Sequence, residues 1–182
     1  MQMIIIILGV LCLVFFIENA RELRTFRIRT YRIFSHKLKG IQKKRIVFLS
    51  DLHNCSYGKN NGRLLAAVRR SRPDLILIGG DMLVRKNGTS YAKTLKFLTR
   101  LTAMCPVYYA NGNHEQKLKE EPERYEQSYA AYKKHLEEAG IIFLENEAVI
   151  WKTGRARIRI SGLEIPLSAY EKLGKRKLSV RQ

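Results

Sequence analysis

The stretch RIVFLSDLH, residues 45–53, contains a short apolar run that ends directly in polar residues. The same arrangement recurs in DLILIGGD at residues 74–81 and in PVYYANGNHE at residues 106–115. Short apolar runs bounded by turn-forming residues are typical of strands that are buried on both faces. We therefore predict three buried strands, each followed at once by polar side chains that can carry chemistry.

Helical patterns separate these strands. Residues 62–72 carry apolar side chains at helical spacing and are followed by Pro73, and residues 91–104 show the same spacing. Farther along, the sequence predicts one charged helix and three short strands in meander-like order, at 123–139, 141–144, 148–152 and 156–160. Strands that alternate with helices predict an α/β fold with a parallel sheet covered on both faces.

The N-terminal region is apolar and then strongly basic. Residues 3–17 form an unbroken apolar run with no basic residue before it and a poor cleavage site after it. This pattern favours an uncleaved anchor over a signal peptide, and the arginines that follow predict a domain on the cytoplasmic side. We expect a transmembrane signal anchor at 1–20, a basic juxtamembrane segment with one strand at 21–44, and a folded domain at 45–182. The expected location is the cell membrane, in a single-pass protein.

The net charge suggests which partners to expect. The chain carries 34 Lys and Arg against 16 Asp and Glu, a formal net charge of +18. Half of this excess lies between Arg21 and Arg45, where Glu22 is the sole acid. Anionic lipid attracts such a segment by about 1 kcal/mol for each well-placed cation. We therefore expect the membrane surface to be a partner, through the N-terminal helix and this segment, and do not expect nucleic acid to be one.

The polar residues after the three strands should meet in one crevice, because the carboxyl ends of parallel strands share one edge of the sheet. They are Asp51 and His53 after the first strand, Asp81 after the second, and Asn113 and His114 after the third. Taken singly, each is more typical of a turn or a helix cap than of a functional site. Taken together and in this order, they predict a metal-binding site.

Three motifs carry a family resemblance. DLH at 51–53, GD at 80–81 and GNHE at 112–115 resemble the first three signature blocks of the calcineurin-like metallophosphoesterases. The juxtamembrane segment, LENE at 144–147 and ISGL at 160–163 are also similar to the membrane-associated bacterial branch of that family. The resemblance implies a two-sheet β-sandwich flanked by helices, of which this chain is the N-terminal portion. The apolar run at 3–17 adds one transmembrane helix before it. It also implies an enzyme that hydrolyses a phosphate monoester, diester or pyrophosphate bond.

By the same resemblance, two divalent metal ions are the expected cofactors. Oxygen and imidazole ligands together suit Mn, Fe, Zn or Ni better than Ca. Asp51 and His53 would hold the first ion, Asp81 would bridge both ions, and Asn113 would offer the second ion an amide oxygen. His114 would be catalytic, placed to stabilise the transition state or to protonate the leaving oxygen of a phosphate-ester substrate.

The family pattern is incomplete in this sequence. The resemblance implies further histidines, including a Gly-His-x-His block, whereas no histidine follows His135. We therefore expect a chain that is truncated before this block, with missing ligands and weak or absent activity. The alternative function is a non-catalytic, membrane-bound module that binds anionic lipids or polyanions through its basic surface.

Overall fold

Four short parallel strands form the central sheet. The computed structural model describes residues 2–22, 25–38, 43–126 and 128–171. The strands lie side by side in chain order: β1 (Ile46–Leu49), β2 (Leu75–Ile78), β3 (Val107–Tyr109) and β4 (Ile141–Phe143). Their register aligns the carboxyl ends, since Leu49 pairs with Ile78 and Ile78 pairs with Tyr109. The predicted α/β class and the three predicted strands are confirmed. Of these strands β2 and β3 are buried, whereas Ile46 and Phe48 of β1 are 47% and 65% exposed.

The remaining elements are helices and one hairpin. The α-helices are α1 (Gln2–Glu22), α2 (Gly62–Ser71), α3 (Ala92–Thr99), α4 (Asn113–Glu120), α5 (Tyr129–Glu138) and α6 (Leu167–Glu171). Single 3₁₀ turns lie at His36–Leu38, Lys59–Asn61 and Pro122–Arg124. The strands β5 (Ala148–Thr153) and β6 (Ala156–Ser161) form an antiparallel two-stranded ribbon.

The main core lies between the sheet and the helices on one of its faces. Val107, Tyr109 and Ile141 contribute to it from the sheet, and α2, α3 and α5 cover them with apolar side chains such as Leu98 and Leu136. The helices form where apolar residues recur at helical spacing, so that one stripe of each helix can be buried.

The ribbon covers part of the opposite face of the sheet. Trp151 of β5 packs there with Leu75, Tyr108 and Leu144 in a second, smaller cluster. The side of the sheet near β1 is left more open, and Phe48 is 65% exposed. Each face of the sheet therefore meets a different kind of layer, helices on one side and a β-ribbon on the other.

The expected two-sheet sandwich with meander-like strands is wrong for the part of the chain that the structure describes. The segment 141–143 joins the main sheet as β4, parallel to β3, because α5 crosses over between them. Only β5 and β6 pair antiparallel, as a separate ribbon. The fold is thus an α/β arrangement around a four-stranded parallel sheet.

The predicted transmembrane helix is also wrong. The helix α1 does coincide with the apolar run, yet none of the helices in the described ranges is both long and apolar enough to cross a membrane. At 1.5 Å per residue the run at 3–17 extends over about 22 Å, short of a hydrocarbon core of roughly 30 Å, and the charged Glu18 and Arg21 follow it. The predicted single-pass location in the cell membrane, with the domain on its cytoplasmic side, fails with it.

Several predictions of individual strands and helices are wrong, because tertiary contacts and not local sequence patterns determine the backbone conformation there. The strand expected after the anchor is absent from residues 25–35, which pair with no described strand, although Phe26 packs edge-on against Tyr57. The helix expected at 123–139 starts only at Tyr129, after an N-cap formed by Ser128. The helix α4 was not predicted from the sequence. The proposed domain boundaries stay a prediction.

Neighbouring residues of β4 test the assignment of the two faces. Ile141 is 2% exposed in the main core and Ile142 is 46% exposed on the other face. We expect Ile141→Ala to lower the free energy of unfolding by about 2–5 kcal/mol, through lost burial and a residual cavity. The same truncation at Ile142 should cost less than about 1 kcal/mol. Urea unfolding of both variants measures the difference, and equal losses would contradict the layer assignment.

Candidate metal centre

Hydrogen bonds extend the sheet beyond the ends of its strands and hold the first two loops together. The backbone N–H of Asp51 donates to the carbonyl of Gly80 at 3.1 Å, and that of His53 donates to the carbonyl of Asp81 at 2.9 Å. Asn54 continues the series with a bond to Met82 at 3.0 Å. Asp51 and His53 therefore lie beside Asp81 although they are distant from it in sequence.

The second and third loops touch at two glycines. A Cβ atom on Gly80 would lie 2.0 Å from the backbone nitrogen of Gly112, and one on Gly112 would lie 2.4 Å from Oδ1 of Asp81. Both approaches are closer than any side chain allows. Gly80 also has a φ of +81°, a conformation that glycine adopts without strain.

Several functional candidates have an uncommon backbone conformation. Asp51, His53 and Asp81 have φ angles of 57°, 48° and 54°. Non-glycine residues with positive φ are uncommon, and such strain persists where the surroundings enforce it, often at functional sites. Here the backbone hydrogen bonds between the first and second loops hold these residues in that conformation.

Asp51, His53 and Asp81 form a group that could hold a metal ion. Their ligand atoms all lie within 4.8 Å of one another. Nε2 of His53 lies 3.5 Å from Oδ1 of Asp51, and Ser50 donates a hydrogen bond to the other oxygen of Asp51. The side chain of Asp51 is 64% exposed, so the cluster opens to solvent on that side.

Asn113, the first residue of α4, places its amide against the carboxylate of Asp81. With its nitrogen toward Asp81 it donates to Oδ1 at 3.0 Å and to Oδ2 at 2.6 Å. With the amide oxygen of Asn113 toward Asp81 instead, two hydrogen-bond acceptors face each other. A cation bound to both oxygens would stabilise that arrangement.

The donor set fits a divalent metal ion. Two ligands on opposite sides of a transition-metal ion lie about 4.2 Å apart, so the three clustered donors need only a small adjustment. Carboxylate oxygens and one imidazole suit Mn, Fe, Zn or Ni. The structure thus brings together Asp51, His53 and Asp81, with Asn113 against Asp81, while the individual role of each residue stays a prediction.

His114 borders the cluster, and both its backbone and its ring are held by contacts. Its backbone N–H donates to Oδ1 of Asp81 at 2.8 Å, and its ring packs edge-on against His53 with centroids 4.9 Å apart. The ring atom Nδ1 accepts from the backbone N–H of Arg85 at 3.2 Å. Burial lowers the pKa of His114, and the nearby Arg85 and His53 add to that effect while Asp81 opposes it. A neutral ring in this setting carries its proton on Nε2.

Glu115, the last residue of the GNHE motif, holds the second and third loops together, a role that was not predicted from the sequence. Its side chain is 0% exposed. Oε2 accepts from the backbone N–H groups of Asp81 at 2.8 Å and Gly112 at 3.1 Å. Oε1 accepts from Met82 N–H at 3.0 Å and from the hydroxyl of Tyr109 at 2.7 Å. Burial raises the pKa of Glu115, and these hydrogen bonds act in the opposite direction.

One sequence signal could have revealed this role. Glu115 lies three residues after Gly112, which is the N-cap of α4, and a glutamate at that position commonly bonds back to the N-cap backbone. That signal would have predicted both α4 and the Gly112 hydrogen bond. It would not have predicted the bonds to Asp81 and Met82, which come from the neighbouring loop.

A second polar network holds the third loop from its other side. Nδ2 of Asn111 donates to the hydroxyl of Tyr129 at 2.7 Å and to Glu145 at 3.0 Å. Glu145 also pairs with Lys133 at 2.9 Å and with Lys119 at 3.2 Å. The network therefore links the residue before Gly112 to α4, α5 and the end of β4.

Fold and site together define an α/β protein with a metal-competent crevice at the carboxyl edge of a parallel sheet. The chain belongs to the calcineurin-like phosphoesterase family, whose sequence profile matches residues 44–171. The predicted family is thereby confirmed. Its membrane-associated branch and the truncation stay predictions.

Two individual proteins illustrate the similarity. The uncharacterized metallophosphoesterase YkoQ of Bacillus subtilis (strain 168) is 31% identical over 164 residues, which cover 88% of this chain and 58% of that protein. This chain thus spans less than two thirds of the length of that relative. Among solved structures, the phosphopantetheinyl hydrolase PptH of Mycobacterium tuberculosis matches with a TM-score of 0.47 at 21% identity, over 65% of this chain and 42% of the other.

Acid titration tests the network around Glu145. Burial alone would raise the pKa of Glu145, but its hydrogen bonds prevail and lower that pKa from 4.5 to about 2. The carboxylate therefore contributes stability above its ordinary pKa and loses that contribution as the pH falls toward the folded-state value. We expect Glu145→Gln to lower the unfolding free energy by about 1–3 kcal/mol at pH 6, and the gap to wild type to narrow between pH 5 and pH 3.

The matched control is Glu147→Gln, at an exposed position two residues away. Chemical denaturation across the pH range gives both differences. A difference in unfolding free energy between wild type and Glu145→Gln that did not change with pH would contradict the role given to this network. So would an equal, pH-dependent difference for Glu147→Gln.

Proposed function

We propose that this chain is a metal-dependent phosphoesterase that hydrolyses a phosphate monoester, diester or pyrophosphate bond. The observation that carries the proposal is the convergence of Asp51, His53 and Asp81 at the carboxyl edge of the sheet. Membership of the calcineurin-like phosphoesterase family supports the reaction class. Its substrate is a phosphate ester.

The proposed cofactors are two divalent ions. Asp51 and His53 would hold the first, Asp81 would be shared, and Asn113 would offer its amide oxygen to the second. When bound, such a pair lowers the pKa of a water molecule and neutralises the phosphoryl oxygens. The strained loops hold the donors close together before any ligand binds, which reduces the reorganisation that binding requires.

His114 is proposed as the proton donor to the leaving oxygen. Because Nδ1 is engaged by the backbone of Arg85, the neutral ring keeps its proton on Nε2. Contact with His53 places the ring beside the cluster. A fixed N–H group at this border can donate to a developing negative charge without reorienting.

Low turnover is expected from this chain. The described donors offer the second ion only the shared Asp81 and the amide of Asn113, which is little charge for tight binding. The first ion has two carboxylates and one imidazole within reach. We therefore expect one strong and one weak metal site.

Asp81→Asn tests this proposal most simply. The change removes one negative charge from the shared ligand and should weaken Mn²⁺ binding at least tenfold. Isothermal titration measures the affinity, and hydrolysis of p-nitrophenyl phosphate and bis-p-nitrophenyl phosphate measures the activity. Any activity of the wild-type chain should fall at least about 100-fold.

The control is Asp74→Asn, since Asp74 lies just before the other end of β2 and pairs with Lys44 at 3.2 Å. It should leave the metal affinity unchanged in a folded protein. Equal Mn²⁺ affinity in Asp81→Asn and wild type would rule out the metal mechanism.

A further inference from the structure

The outer side of the β5–β6 ribbon carries a concentrated positive charge. Lys152 projects from β5, Arg157 and Arg159 project from β6, and Arg155 lies in the turn between the strands. All four side chains are exposed, and none forms an ion pair with another described residue. We call these four residues the ribbon cations.

The arrangement of the ribbon cations is unfavourable for the isolated protein. Lys152 and Arg157 are direct cross-strand partners. Like charges directly opposite each other destabilise an antiparallel pair. The other outward positions of the two strands are occupied by Ala148, Ile150 and Ser161, so no acid on that face offsets the repulsion.

The ribbon is a firm platform for these charges. Its inner side buries Trp151 against Leu75 and Tyr108 of the sheet. Its tight turn begins at Gly154, whose φ is +57°, a position that favours glycine in two-residue hairpin turns. The backbone that carries the ribbon cations is therefore held in place by the packing of the inner side of the ribbon against the sheet.

We propose that this outer side of the ribbon binds the phosphate backbone of double-stranded nucleic acid. Side chains two residues apart on a strand are about 6.6–6.8 Å apart, so several ribbon cations can contact a regularly charged polymer at once. A double helix carries one charge per roughly 1.7 Å of its axis. A polymer of this charge density relieves the repulsion between Lys152 and Arg157.

The composition of the ribbon selects duplex over single strands. Binding of unpaired bases relies on exposed aromatic rings on which they stack. The only aromatic residue of the ribbon, Trp151, is 8% exposed and faces inward. The recognition is thus electrostatic and independent of base sequence. This partner differs from the lipid surface expected from the N-terminal charge, and it does not rest on the proposed phosphoesterase reaction.

The test uses the full chain and a fluorescein-labelled 30-base-pair DNA duplex, with binding followed by anisotropy from 50 to 200 mM NaCl. Four phosphate contacts predict a contribution of about −3.6 to the slope of log K against log salt concentration. Replacing all four ribbon cations by Gln should make the slope shallower by about three to four. At 100 mM salt the same variant should bind at least about tenfold more weakly.

The control variant removes four exposed cations from the helical side of the sheet by replacing Arg69, Arg70, Lys93 and Lys96 with Gln. It has the same net charge as the ribbon variant and should change the slope by less than about one. Equal losses in both variants, or no duplex binding by the wild-type chain, would overturn the proposal. Vesicles of phosphatidylserine and phosphatidylcholine form a second arm: if the ribbon variant lost vesicle binding but kept duplex binding, the ribbon would be a lipid surface instead. Thermal unfolding of each variant checks the fold.

Discussion

The buried carboxylate of Glu115 is the constraint on which the site depends. Its two oxygens accept hydrogen bonds from Asp81, Met82 and Gly112 backbone groups and from the hydroxyl of Tyr109. A fully buried carboxylate is costly unless such partners compensate for the lost water. Since those partners belong to two different loops, the requirement to satisfy Glu115 brings the loops together.

The positions of the metal-competent side chains follow from this constraint. Gly80 and Gly112 permit the contact between the loops that Glu115 enforces, and backbone bonds from Asp51 and His53 add the first loop to the other two. On the far side, Asn111 anchors the third loop to Glu145 and Tyr129. The crevice is thus built from short, mutually restrained loops on a rigid sheet, which is the setting that precise ligand geometry needs.

Much of this arrangement could be predicted from the sequence. Apolar runs that end in Asp, His and Asn indicate both the parallel strands and the edge at which their side chains converge. The rest depends on contacts that local patterns do not encode. Strand 141–143 joins the main sheet because α5 crosses over, and Glu115 acts through the neighbouring loop. The predicted membrane anchor is wrong because the apolar run at 3–17 is short and is followed by the charged Glu18 and Arg21.

The most direct measurement is the Mn²⁺ affinity of Glu115→Gln, followed by isothermal titration beside Glu123→Gln, an exposed control with the same loss of charge. An amide in place of the carboxylate directs an N–H₂ group at the backbone donors and loosens the contact between the loops. We predict a folded variant that binds Mn²⁺ about 10–100-fold more weakly, with the control unchanged. Wild-type affinity in a folded Glu115→Gln protein would contradict the claim that this carboxylate assembles the metal centre.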